Sequence, residues 1–173
     1  MPRIYFDASA LVKRYSTENG TPLVNEVFRL VAKQQMICGL LGALEIIFIL
    51  VRKRNDKRLS QPAYRQAMAE FKSEVMKNSD FLKTSVDDAL LFSSAALIAK
   101  HNLNSNDCVI LRSVLNLRDS LPQQQNEIIL CTSDNRLARA AGAEGIRVFN
   151  PEKGTVDELR QLLGVDQQPP AQQ

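Results

Sequence analysis

The chain has one histidine, His101, in 173 residues, so no histidine pair exists to shuttle protons through a reaction. Cysteine is also scarce. Cys38, Cys108 and Cys131 lie far apart and form no C-x-x-C pair, which excludes a disulfide framework and a cysteine-ligated zinc site. Their apolar neighbours assign all three to the core. There is no P-loop and no G-x-G-x-x-G turn, and no G-x-S-x-G elbow for a serine nucleophile. The opening "MPRIYFDAS" lacks an apolar signal region, so the expected compartment is the cytoplasm. Only "MICGLLGALEIIFILV" (36–51) is long and apolar, and its sixteen residues fall short of the ~20 that span a bilayer. Glu45 interrupts it, so it reads as a buried helix with no membrane role.

What is present is ordinary for a globular α/β protein. Hydrophobic residues make up 45% of the chain, enough for a real core, and the net charge of +3 neither proves nor repels a nucleic-acid partner. Apolar period alternates along the chain. Strands are expected at 3–6, 36–38, 81–84, 128–132 and 146–149. Helices are expected at 8–15, 22–34, 40–54, 61–77, 85–100, 107–117, from 133 or 134 to 142, and at 155–163. "SVDD" (85–88) has the form of a capping box with Ser85 as N-cap. Residues 1–164 read as one domain, and 165–173 as a polar, Pro-containing, disordered tail. Strands alternating with helices imply a mostly parallel sheet covered on both faces, with ligands held beyond the carboxyl ends of its strands.

Four acids then draw attention. Asp7 ends the first strand in "RIYFDASALVKRY", Asp107 opens a helix after Ser105 and Asn106, and Asp134 stands at another strand-to-helix turn in "TSDNR". Each has a structural reading as a helix cap or a dipole partner, and alone each is explained by it. Glu45 is not, because capping cannot account for an acid inside an apolar helix; it needs a salt-bridge partner or a site. Taken together the four favour a shared site, since clustered carboxylates are tolerable when a divalent cation lies among them. Oxygen ligation without His or Cys favours Mg²⁺ or Mn²⁺ over zinc. With no histidine pair, metal-activated water is the natural nucleophile. Other acids, Glu70 and Glu74 among them, read as solvated.

These segments resemble the PIN-domain nucleases, and within them the VapC-type toxins of prokaryotic toxin–antitoxin pairs. "YFDASALVKRY", "GALEIIFILVRKR", "AALIAKHNLNSNDCVIL" and "ILCTSDNRLARAAGAEGIRVF" match in type and order across residues 2–150. The resemblance implies a three-layer α/β/α fold with a central mostly parallel sheet. It implies a Mg²⁺- or Mn²⁺-dependent endoribonuclease with an RNA substrate, a cognate antitoxin and a homodimeric state. By position, Asp7, Glu45, Asp107 and Asp134 would be the catalytic and metal-binding quartet, with Asp7 and Asp107 the principal ligands and Ser9 and Thr132 supporting them. Contacts to the RNA backbone are assigned to Lys13, Arg14, Arg52 and Arg54; the basic run 52–58 has a second reading as a helix end favoured by its dipole. The alternative function is a catalytically silent RNA- or protein-binding module. A phosphotransfer enzyme with an aspartyl nucleophile ranks low, because Ser9 stands where a D-x-D pair needs its second acid.

Overall fold

Five short strands, β1 (Arg3–Phe6), β2 (Met36–Gly39), β3 (Leu82–Thr84), β4 (Ile128–Cys131) and β5 (Arg147–Phe149), pair in the order β3-β2-β1-β4-β5. Every pairing is parallel. The structure, a computed structural model, describes residues 1–122 and 127–165. The tail expected at 165–173 therefore lies, from residue 166 onward, outside the described residues.

The strands alternate their side chains between two cores, which gives the three layers. Ile4 and Phe6 of β1, Met36 and Cys38 of β2, and Ile129 and Cys131 of β4 enter one cluster. Tyr5, Ile37, Ile128 and Leu130 enter the other. The first cluster is covered by α1 (Ala8–Leu11), α2 (Thr21–Leu30), α3 (Leu40–Asn55), α4 (Gln61–Phe71) and α8 (Val156–Leu163). The second is covered by α5 (Asp88–His101), α6 (Ser105–Ser120) and α7 (Asn135–Ala143). All three cysteines are buried and free. Gly39 ends β2 where a Cβ would come within 3.0 Å of the Tyr5 hydroxyl, which crosses β2 to bond Thr84 Oγ1 on β3 at 3.0 Å.

The strand order reverses direction between β1 and β4, so a crevice is expected beyond their carboxyl ends. Phe6 and Leu11, both fully buried, anchor the chain on either side of that point. Each such burial is worth about 1.5–3 kcal/mol, which fixes the backbone between them.

Several local expectations change. Asp87, extended in backbone, caps α5 in place of Ser85, its side chain accepting from Leu90 N at 2.8 Å, because the helix starts only at Asp88. The helix expected over 61–77 passes into a π-helical segment at Lys72–Met76. Glu74, read as solvated, turns inward there to accept from Arg14 and Tyr15. The apolar helix α3 is not buried all round: Leu40, Leu41, Leu44 and Phe48 form an exposed face, with Leu44 63% exposed. No helix among the described residues is long and apolar enough to cross a membrane.

Candidate active site

Asp7 follows β1 and continues its ladder, its amide donating to Cys131 O at 3.0 Å. It occupies the N-cap position of α1, yet its side chain makes no cap hydrogen bond. The carboxylate is instead held from the side. Ser9 Oγ donates to Asp7 Oδ2 at 2.5 Å and Thr132 Oγ1 donates to the same oxygen at 2.9 Å. Those hydroxyls are fixed in turn by the loop after β4: Ser133 N donates to Ser9 Oγ at 2.9 Å and Asp134 N to Thr132 Oγ1 at 3.0 Å. Only 6% of Asp7 is exposed. Burial pushes its pKa above the ordinary value, opposed by the hydrogen bonds from Ser9 and Thr132.

Asp107 is the third residue of α6, where Asn104 is the cap. Asn104 Oδ1 accepts from Asp107 N at 2.9 Å, and its Nδ2 donates to Asp107 Oδ2 at 2.8 Å. Asp107 is 8% exposed. Its pKa is pushed up to about 6, first by burial and then by the charges of Asp134, Asp7 and Glu45, with Arg136 acting against them. Glu45, half-buried on α3, accepts from Asn106 Nδ2 at 2.8 Å. Its pKa is raised by burial first and by Asp7 second. Asp134 does cap: its Oδ1 accepts from Arg136 N at 2.7 Å and Leu137 N at 3.0 Å.

Asp107 on α6 therefore lies within electrostatic reach of Asp134 in the β4–α7 turn, of Asp7 after β1 and of Glu45 on α3, and Glu45 within reach of Asp7. Among the described residues, no three His, Cys, Asp or Glu side chains stand in a geometry that could hold one metal ion together. The donor chemistry still fits a hard divalent cation, because every candidate ligand is oxygen and the two most buried carry charge that burial disfavours. Ser133 Oγ, beside this network, is buried with no hydrogen-bond partner among the described residues.

The cations read from the sequence behave differently. Lys13 is no surface residue: its side chain is 5% exposed and pairs with Glu152 at 2.6 Å and Glu18 at 3.5 Å. Arg14 is held by Glu74 and Asn25. Arg52 lies 3.8 Å from Asp56, and Arg54 lies over the Tyr64 ring. Sequence reasoning passed over Asn104, Asn106 and Arg136. The N-x-x-D spacing from Asn104 to Asp107 carried a capping signal; nothing local marked Asn106.

The family model for the PIN domain matches residues 50–152. Asp107 and Asp134 fall inside that span, and Asp7 and Glu45 precede it. No curated protein matches. A toxin–antitoxin complex from Klebsiella pneumoniae contains a chain of similar structure, with a TM-score of 0.56 and 18% identity, covering 86% of this chain and 97% of that one. The crystal structure of a Pyrobaculum aerophilum protein is similar at a TM-score of 0.57 and 16% identity, over 95% of both chains. At these identities the likeness is one of fold.

Proposed function

The chain belongs to the PIN-domain family, and we propose that it is a Mg²⁺- or Mn²⁺-dependent endoribonuclease, the toxin of a toxin–antitoxin pair. PIN domains are generally nucleases. The observation that carries the reading is the coupling of four acids from separate elements, three of which raise the proton affinity of Asp107. Asp7 and Asp107 would be the principal ligands of the cation, joined by Glu45 and Asp134. When bound, the cation supplies Lewis-acid charge to the phosphate and lowers the pKa of water at the site.

The chain's own residues do the positioning. Ser9 and Thr132 hold Asp7 Oδ2, so its carboxylate cannot turn away from the crevice at the β1–β4 boundary. Asn104 and Asn106 restrain Asp107 and Glu45 in the same way. Attack by water on phosphorus breaks the bond to the 3′ oxygen and leaves a 5′-phosphate and a 3′-hydroxyl. No 2′-hydroxyl takes part, and no histidine is required.

The test is purified protein with RNA and Mg²⁺ or Mn²⁺, beside Asp7→Asn. Cleavage by the wild type alone, with 5′-phosphate ends, is expected; equal cleavage by both would sink the proposal. A catalytically silent binding module of the same fold is the second reading, favoured by the want of a ready metal-holding geometry among the described residues. Retained RNA binding without cleavage would select it.

The toxin reading draws support from the fold shared with a chain of a toxin–antitoxin complex. Exposed apolar faces on α3 and on α5, where Leu91, Phe92 and Ile98 lie outward and Phe92 is 80% exposed, support protein partners. An antitoxin and a second copy of the chain are the occupants proposed, with the cytoplasm as the place of action. Growth arrest on expression, lost with Asp134→Asn, tests the toxicity. Co-purification with the product of a neighbouring small gene tests the antitoxin.

A further inference from the structure

The proposed site has an electrostatic difficulty: four clustered carboxylates repel a polyanion. Of the cations first assigned to RNA, Lys13 and Arg14 are committed to carboxylates, Arg52 lies 3.8 Å from Asp56, and Arg54 lies over the Tyr64 ring. A different set borders the acids. Between the end of α5 and the outer side of α7 lies a cavity of about 370 Å³, lined by Lys100, His101, Asn102, Arg136, Arg139 and Ala140. Arg136 and Arg139 are three residues apart on α7 and so share one helix face. Both are exposed. Among the described residues, neither forms an ion pair or a side-chain hydrogen bond.

Lys100 and His101, in the last turn of α5, share one carboxylate, Glu144, at 2.7 and 2.5 Å. The cavity thus presents three permanent cations against one acid. It also adjoins the candidate site. Arg136 stands two residues after Asp134, and its charge reaches Asp107. The amides of Arg136 and Leu137 are taken by the Asp134 cap, so positive charge here comes from side chains. The apolar lining is alanine alone, which offers no pocket for a partner's large apolar side chain. Exposed guanidinium groups in a shallow polar cavity suit a phosphate better than a protein anchor.

We propose that this cavity binds a backbone phosphate of the RNA beside the scissile bond, with Arg136 and Arg139 as its principal contacts and Lys100 as a third. This rests on the ribonuclease reading, and its test is kept separate from cleavage. Binding of a fluorescent single-stranded RNA to the full chain is measured by anisotropy in EDTA over a range of salt. The variants are Arg136→Ala/Arg139→Ala and Arg136→Lys/Arg139→Lys, each checked by circular dichroism and thermal melting. The alanine pair should weaken binding at least tenfold and lower the slope of log K against log salt by about 0.7, since the cavity holds one phosphate and each phosphate contact to a single strand contributes ~0.7. The lysine pair should recover the slope while recovering affinity only in part.

An unchanged slope in a folded alanine pair overturns the proposal, as does the lack of measurable RNA binding by the wild type. If the alanine pair instead loses binding to poly-glutamate while keeping RNA, the cavity takes an acidic protein and the proposal also fails. Slope loss without any Mg²⁺- or Mn²⁺-dependent cleavage keeps the cavity and removes the nuclease. Cleavage with an unchanged slope does the reverse.

Discussion

Replacing Asp107 by asparagine should stabilise the protein at pH 7.5 while removing a proposed metal ligand. In the fold this carboxyl titrates at about 6 against an ordinary 3.8, because burial disfavours its charge and Asp134 and Asp7 repel it. One decade of proton affinity corresponds to about 1.4 kcal/mol. Water at the mouth of the site screens part of this, which leaves about 1–2 kcal/mol as the cost of carrying the charge at neutral pH. The sign follows from linkage. A carboxyl with a higher proton affinity in the fold than in the unfolded chain stabilises the fold fully below pH 3.8, and that contribution is lost as pH rises through about 6. Asparagine stays neutral throughout, and its Oδ1 can accept from Asn104 Nδ2 as Asp107 Oδ2 does at 2.8 Å. In thermal unfolding, Asp107→Asn should melt about 2–8 °C above the wild type at pH 7.5. The gap should close between pH 6 and pH 4, and Mg²⁺ should narrow it by stabilising the wild type more. A variant that melts lower at pH 7.5, or a gap indifferent to pH, refutes the crowding of charge at this site.

Four other outcomes are expected. Calorimetric affinity for Mg²⁺ should fall about tenfold per pH unit below 6, as Asp107 takes up a proton; a flat profile removes Asp107 from the ligands. Thr132→Ala should cost 10–100-fold (order of magnitude) in metal affinity or cleavage, with Thr132→Ser near wild type, because only the serine keeps a hydroxyl between Asp7 and Asp134 N. Gly20→Ala should lower stability by about 1–3 kcal/mol in urea unfolding, since the residue has φ +89° and a Cβ would meet Pro151 O at 2.8 Å. Lys13→Met should lower the melting temperature by stranding Glu152, while Glu18 keeps its pair with Lys53 at 2.7 Å, yet leave the salt slope of RNA binding unchanged; a reduced slope would return Lys13 to the RNA path.

The alternation of apolar period exposed the α/β/α layering to sequence reading, because parallel strands buried on both faces give short apolar runs separated by amphipathic helices. Glu45 pointed to a shared site for a physical reason: a mid-helix acid in an apolar run demands a partner. Its partner, Asn106 on α6, lies 61 residues away and carries no local mark. The fate of Lys13 was equally hidden, since Glu152 comes 139 residues later and only the folded sheet brings the two together. The π-helical segment that turns Glu74 inward breaks the 3.6 period at a point where composition gives no warning. The exposed apolar face of α3 was misread as core because hydrophobicity reports a preference for leaving water and not what covers the side chain.

Asp7 makes the last step possible. An acid at a strand tip and an N-cap are indistinguishable in sequence, and this one sits in the cap position without capping. Its hydrogen bonds run across the β1–β4 boundary to Thr132, whose hydroxyl also receives the amide of Asp134. The geometry of one carboxylate is thus set by the loop that carries another. β1 is the central strand, and its ladder with β4 ends at Phe6 opposite Cys131, both buried in one core, so the strand ends that lead to Asp7 and to Asp134 are held side by side. The same contacts that hold the sheet therefore hold two of the acids in register, and a substitution that loosens Thr132 should disturb both together while leaving Glu45, tethered separately through Asn106, in place.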